Sequence, residues 1–224
     1  MDDNIVILIT GSSATGKSTS LRNLDKSSTA ILNCENKTLP FKDRKFVLNG
    51  RVTDVAGMYA GMKAVEEDDR IKTVVIDSIS MFASDIVYPE VVQTAADTRS
   101  AWMTYKEILL EVIKTAKRSK KDYIITALED TVVNEQFKRI STASVQGSLG
   151  KGNLESHFAI ALRAMVVEEV DKEGKTSKRH VFGTQNMIPD VDCTAKSPME
   201  MFDDLYIDND MAEVLKTAKA YYAD

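Results

Sequence analysis

The chain has 224 residues, 43% of them hydrophobic, and a formal net charge of -5. That length encloses one substantial core and reads as a single domain over residues 1–224, and the acidic balance excludes a uniformly basic nucleic-acid binder. The start has no basic segment before its short apolar run and no stretch approaches the ~20 apolar residues of a membrane span, so a soluble, cytoplasmic chain without membrane contact is expected.

The first apolar run, residues 5–9, reads as a buried strand, followed by a Gly-rich turn and a helix over about 17–24. Residues 29–33 form a second strand that ends at Cys34-Glu35. Cys34 and Cys193 lack metal-ligand spacing and read as reduced thiols. Thr53-Asp54 marks a helix start, with Val55, Met58, Tyr59, Met62 and Val65 on one face. Residues 73–76 are a third strand, ending at Asp77-Ser78. The clearest helix carries Trp102, Tyr105, Leu109, Val112, Ile113 and Ala116 on one stripe and ends in a basic cluster from Lys114 to Lys121. A fourth strand follows at 123–127. Residues 131–153, rich in Ser, Thr, Gly, Gln and Asn, read as a long mobile loop. Strand 158–167, a turn at 171–175 and a return strand at 180–184 form a terminal hairpin, and 211–222 is an amphipathic helix. Short apolar strands alternating with helices predict an α/β fold with a mainly parallel sheet covered on both faces.

Gly11-Ser12-Ser13-Ala14-Thr15-Gly16-Lys17-Ser18 matches the phosphate-loop pattern at every required position, between a strand and a helix. Glycines let successive N–H groups turn inward on a phosphate, and the helix start that follows adds positive potential. The segment from Gly11 through Thr19 is therefore the expected ATP site, with Lys17 on the β/γ-phosphates and the Ser18 hydroxyl on Mg²⁺. Asp77, closing an apolar strand, is the second expected Mg²⁺ ligand.

The segment Val74-Val75-Ile76-Asp77-Ser78 resembles the RecA-like ATPases. Residue 78 is Ser, where many helicases place a catalytic Glu. In RecA-like proteins that Glu ends a neighbouring strand, and Ile31-Leu32-Asn33-Cys34-Glu35 resembles their pattern, which implies Glu35 as the base that orients the attacking water. The chain is similar over nearly its whole length to small phage RecA-like ATPases, described as AAA-family or Sak-type single-strand annealing proteins. The matching end is Ala195-Lys196-Ser197-Pro198, an acidic-apolar stretch and a last helix, although Ser197-Pro198 stands where the family often has an arginine.

The resemblance implies a host-cytoplasmic ATPase in phage recombination, annealing or replication. It implies single-stranded DNA and a phage single-strand binding protein as partners, and assembly into a filament or ring in which Lys196 reaches a neighbour's γ-phosphate. It also places DNA on segments 84–99 and 131–153, the second carrying Lys138, Arg139 and Lys151. Other classes stay open from the residues: a P-loop nucleotide or small-molecule kinase, or a nucleotide-gated interaction protein with little hydrolysis. His157 and His180 stand without ligand-like partners and receive no role.

Overall fold

Residues that are apolar on both sides of a strand need cover on both sides, and that requirement sets this architecture. The computed structural model describes residues 4–133, 139–150, 154–170, 174–186 and 192–223. Ten strands occur among them: β1 (Val6–Gly11), β2 (Thr29–Asn33), β3 (Leu48–Arg51), β4 (Thr73–Asp77), β5 (Asp122–Val133), β6 (Arg139–Ala143), β7 (Ile160–Val170), β8 (Thr176–Gly183), β9 (Asp192–Cys193) and β10 (Tyr206–Asp208). The main order is β10-β8-β7-β1-β5-β4-β2-β3, with β6 beside the far end of β5 and β9 beside β6. From β7 to β3 neighbours run parallel. β8 and β10 add antiparallel strands at one edge. This is the α/β class with a mainly parallel sheet flanked by helices that was read from the sequence, including the terminal β7–β8 hairpin; turn residues 171–173 lie outside the described residues.

Side-chain alternation divides each central strand between two cores. Leu8, Leu32, Val74, Ile76 and Ile125 pack on one face, under α1 (Val55–Glu67), α2 (Ile79–Met81) and α3 (Thr98–Arg118). Ile7, Ile9, Ile31, Val75 and Ile124 pack on the other, with Leu21, Leu24 and α4 (Met211–Tyr222). The helices begin where short acids can accept first-turn N–H groups. Asp54 accepts from Gly57, Asp97 from Arg99 and Ser100, and Asp210 from Ala212. Among the described residues no helix is long and apolar enough to cross a membrane.

Four local expectations are corrected. The helix expected over 17–24 is a short 3₁₀ turn, Thr19–Asn23. Ser20 Oγ donates to the Lys17 carbonyl, and Asp25 accepts from the Ser27 and Ser28 hydroxyls, so side chains take over the bonds that a longer helix needs. Segment 84–99, placed as a DNA loop, is mostly helical: α2 runs into a π-helical stretch, Phe82–Gln93, that buries Phe82, Ile86 and Val87 and tolerates Pro89 in its wide turns. The loop at 131–153 is in large part a hairpin, since β5 continues to Val133 and pairs antiparallel with β6. There the alternation of Thr131-Val132-Val133 and Arg139-Ile140-Ser141 was masked by polar composition; Lys138 and Lys151 lie outside the described residues. Lys121 also leaves the basic cluster, because its buried ammonium donates to the Asp68 and Ile71 carbonyls at 2.6 and 2.9 Å.

The α3 stripe is as expected: Tyr105, Leu109, Val112, Ile113 and Ala116 are buried, while Trp102 is half-buried between Tyr88 and Tyr105. Replacing the fully buried Leu109 with Ala should lower unfolding stability by about 2–5 kcal/mol, through lost transfer energy plus an unfilled cavity. Urea denaturation checks this; an unchanged midpoint would remove α3 from the core.

Candidate nucleotide and metal site

The loop after β1 is held open by two backbone positions that reject a side chain. Gly16 has a φ of 100°, in the left-handed region, and a Cβ there would meet His180 Nδ1 at 3.0 Å and Asn209 Oδ1 at 3.1 Å. At Gly11 a Cβ would fall 2.6 Å from the Ala164 carbonyl oxygen. Ala14 also has positive φ, at 65°. The turn these residues make faces a pocket of about 410 Å³ at the C-terminal ends of the parallel strands, with Lys17, Ser18, Glu35 and Asp77 in its lining. In open α/β sheets, ligands sit at this end.

The Lys17 ammonium folds back on its own loop, donating to the Gly11 and Ser12 carbonyls, both at 2.8 Å. Burial lowers its pKa, against the raising effect of Glu35, Asp77 and Glu129. Ser18 Oγ donates to Asp77 Oδ2 at 2.9 Å, and Thr126 Oγ1 donates to Oδ1 at 2.5 Å. The two residues assigned to Mg²⁺ from separate motifs are thus in direct contact. Asp77 is only 4% exposed, and burial pushes its pKa above the ordinary 3.8, helped by Glu35 and opposed by the Thr126 and Ser18 hydrogen bonds. A hydroxyl and a buried carboxylate form the hard oxygen set that suits Mg²⁺, whose remaining positions are filled by waters and phosphate. These residues fit the ion.

Glu35 arrives by backbone pairing. The Asp77 carbonyl accepts the N–H groups of both Cys34, at 2.8 Å, and Glu35, at 3.1 Å, which fixes the end of β2 beside the end of β4. The Glu35 carboxylate meets exposed Lys37 at 3.3 Å and lines the same pocket as Lys17. Burial raises the pKa of the Cys34 thiol, consistent with an inert, reduced side chain. Lys196 does not line this pocket. Its N–H and carbonyl pair with Ala161, in register with Leu8 and three residues short of Gly11, so the role expected of it requires a neighbouring copy.

A sequence profile described as an AAA domain matches residues 3–188. The chain belongs to that family. Among curated proteins none matches this chain. Among solved structures it is similar to the KaiC-like protein PH0186 from the hyperthermophilic archaeon Pyrococcus horikoshii OT3. That similarity amounts to 14% identity over 80% of this chain and 78% of that one, with a TM-score of 0.46.

Sequence reasoning missed three side chains that support the loop. Thr126 was read as part of an apolar strand, although a lone hydroxyl inside such a run is a signal. Arg163 stands in the apolar Ala161-Leu162-Arg163-Ala164 run, where a charge needs a partner. It finds Glu129 at the end of β5, with a two-pronged contact of 2.7 and 2.6 Å, and Ser12 Oγ lies 3.5 Å from the same carboxylate. His180, given no role from spacing, places Nδ1 3.0 Å from the Thr15 carbonyl and braces the loop from outside.

Two outcomes follow from this geometry. Arg163→Ala removes the guanidinium that pairs with the largely buried Glu129 carboxylate and should cost about 3–5 kcal/mol in denaturant unfolding; a loss below about 1 kcal/mol, the range of exposed pairs, would show the pair to be solvated. For Asp77 the sign is the reverse of the usual carboxylate. Its folded pKa lies above the unfolded value, so the folded state binds the proton more tightly and stability falls as pH rises between those two values. Asp77→Asn should therefore raise the neutral-pH melting temperature of the nucleotide-free chain, with the gain shrinking on acidification, while abolishing the Mg²⁺-dependent part of ATP affinity. Calorimetry across pH and nucleotide titration with and without Mg²⁺ check the two halves.

Proposed function

We propose that this AAA domain hydrolyses ATP with Mg²⁺ and couples turnover to single-stranded DNA, in phage-type recombination, annealing or replication. One observation carries the hydrolytic reading: Lys17, the Ser18–Asp77 contact and Glu35 come from three different chain segments and line one pocket. In that arrangement Lys17 exchanges its loop carbonyls for the β/γ-phosphate oxygens. Ser18 and Asp77 would hold Mg²⁺, which would supply charge neutralisation at the transferring phosphate. Glu35 accepts a proton from a water that attacks the γ-phosphorus in line, as the bond to the bridging oxygen breaks and ADP departs.

The DNA half of the reading is supported by connectivity. The strand that bonds Asp77 through Thr126 runs on without interruption into the β5–β6 hairpin, so a load on the hairpin reaches the metal site along one strand. Arg139, at the start of β6, is the base of that segment among the described residues.

Lys17→Ala should nearly abolish ATP binding, because it removes the one side-chain charge aimed at the phosphates. Glu35→Gln should retain ATP binding and lower turnover by roughly 10²–10⁴, the range of a lost general base. Phosphate release measured with and without oligothymidylate reads both points. Parent-level turnover in Glu35→Gln would remove Glu35 as the base, and turnover indifferent to oligothymidylate would remove the coupling to DNA.

A further inference from the structure

At the N-terminal ends of the central strands, the end of the sheet opposite the phosphate loop, a second concave surface lies between α3, α4 and the start of β7. It encloses about 340 Å³ and is lined at its rim by Lys117, His157 and Tyr222, with the first residues of β1 and β7 at its floor. Val6 to Gly11 spans five strand steps, so this groove lies roughly 16 Å from the phosphate loop. It shares no lining residue with the nucleotide pocket.

Its charge is out of keeping with an acidic chain. His157 sits in the combined field of Lys117, Lys106, Lys114 and Lys196, which lowers its pKa further after burial. These lysines come from two distant parts of the sequence: three from α3, and Lys196 from the segment that pairs with Ala161. None of the four is in a salt bridge among the described residues, whereas neighbouring Arg118 is paired with Glu111 and Lys219 with Asp122. Like charges gathered without counter-ions raise the free energy of the empty surface, and a polyanion relieves it. Alongside them Tyr222 is 48% exposed and stacked edge-on against Tyr221, with ring centroids 5.2 Å apart. Its phenol is nudged to a higher pKa by partial burial and stays neutral at physiological pH. Unpaired cations that track a backbone, next to an open aromatic face, are the two elements of a site for unpaired nucleic-acid strands. A double helix offers no free base to the ring, and an acidic peptide gains nothing from it.

We infer that the groove between α3, α4 and the start of β7 binds single-stranded nucleic acid, with Lys114, Lys117 and Lys196 on phosphates and Tyr222 stacked on a base. This rests on the nucleic-acid part of the proposed function and adds a contact at the N-terminal ends of the central strands, distinct from the one proposed on the β5–β6 hairpin. The test is fluorescence anisotropy of labelled oligothymidylate across a salt series, with the full chain, Lys114→Ala/Lys117→Ala, Tyr222→Ala, Tyr222→Phe and Arg139→Ala, and thermal melts to confirm that each variant is folded. The double lysine variant should flatten the log–log salt slope by roughly 1.4, two phosphate contacts on a single strand. Tyr222→Ala should weaken binding roughly 5- to 150-fold, the equivalent of one stacked base, and Tyr222→Phe should restore it. Binding by the parent that is lost in Arg139→Ala but unchanged in the groove variants would overturn the placement alone. Failure of the parent to bind any oligonucleotide would overturn the nucleic-acid reading itself. Displacement by polyglutamate as readily as by unlabelled oligothymidylate would show a general polyanion surface and overturn the assignment to nucleic acid.

Discussion

The structure around the nucleotide pocket depends on one buried carboxylate. Asp77 holds Ser18 through one oxygen and Thr126 through the other, while its backbone carbonyl takes the N–H groups that end β2. Four segments of the chain are thereby referenced to a single residue: the phosphate loop, β2, β4 and β5. A charge in that position is costly without a counter-ion, and the two hydroxyls offset only part of the cost. The fold by itself would favour an uncharged residue there, and a divalent cation held by this oxygen set would offset the cost.

The second organising constraint is the double cover of the central strands. Because each of β1, β2, β4 and β5 sends alternate residues into two cores, none of them can slip by one residue without exchanging its inward sets. The ends of these strands are consequently fixed relative to one another, and the loops they carry inherit that precision. Lys17, Ser18, Glu35 and Asp77 converge for this reason, although 60 positions separate Lys17 from Asp77 in the chain. The antiparallel edge contributes differently: β8 brings His180 to the back of the phosphate loop, and β10 leads into Asn209, so both brace Gly16 from the side away from the pocket.

Much of this was legible in the sequence where a residue's job is local. The phosphate loop is a backbone conformation written in glycines, the four central strands are continuous apolar runs, and α1, α3 and α4 announce themselves by spacing and capping acids. Asp77 was found because it closes such a run, and Glu35 through the resemblance of its strand end to the RecA-like pattern. The remainder depends on what comes next to what. β3 is a short edge strand, Leu48–Arg51, whose half-exposed residues carry no strong period. The β5–β6 hairpin is built from Thr, Ser and Val at positions where composition suggested a loop, and its pairing is visible only once both halves are aligned. Arg163 and Glu129 are far apart in sequence, so neither alone announces a buried pair. Residues 82–93 are helical despite Pro89, because wide turns accommodate it and the burial of Phe82 and Val87 supports them.

The way Lys17 is held has a consequence for how a ligand enters. An ammonium that already donates to the Gly11 and Ser12 carbonyls keeps the loop's concave side from closing on itself and pre-positions positive charge at its mouth. An incoming phosphate therefore does not fill an idle cation's coordination; it displaces two internal acceptors. The net gain is the difference between two sets of hydrogen bonds, and is smaller than the strength of the new contacts alone suggests. Such an exchange makes the site selective by competition: a singly charged or poorly shaped anion is a weak rival to two carbonyls already in place, whereas a chelating polyphosphate is a strong one. The loop thus carries its own internal inhibitor, released only by a ligand with enough oxygens to replace it.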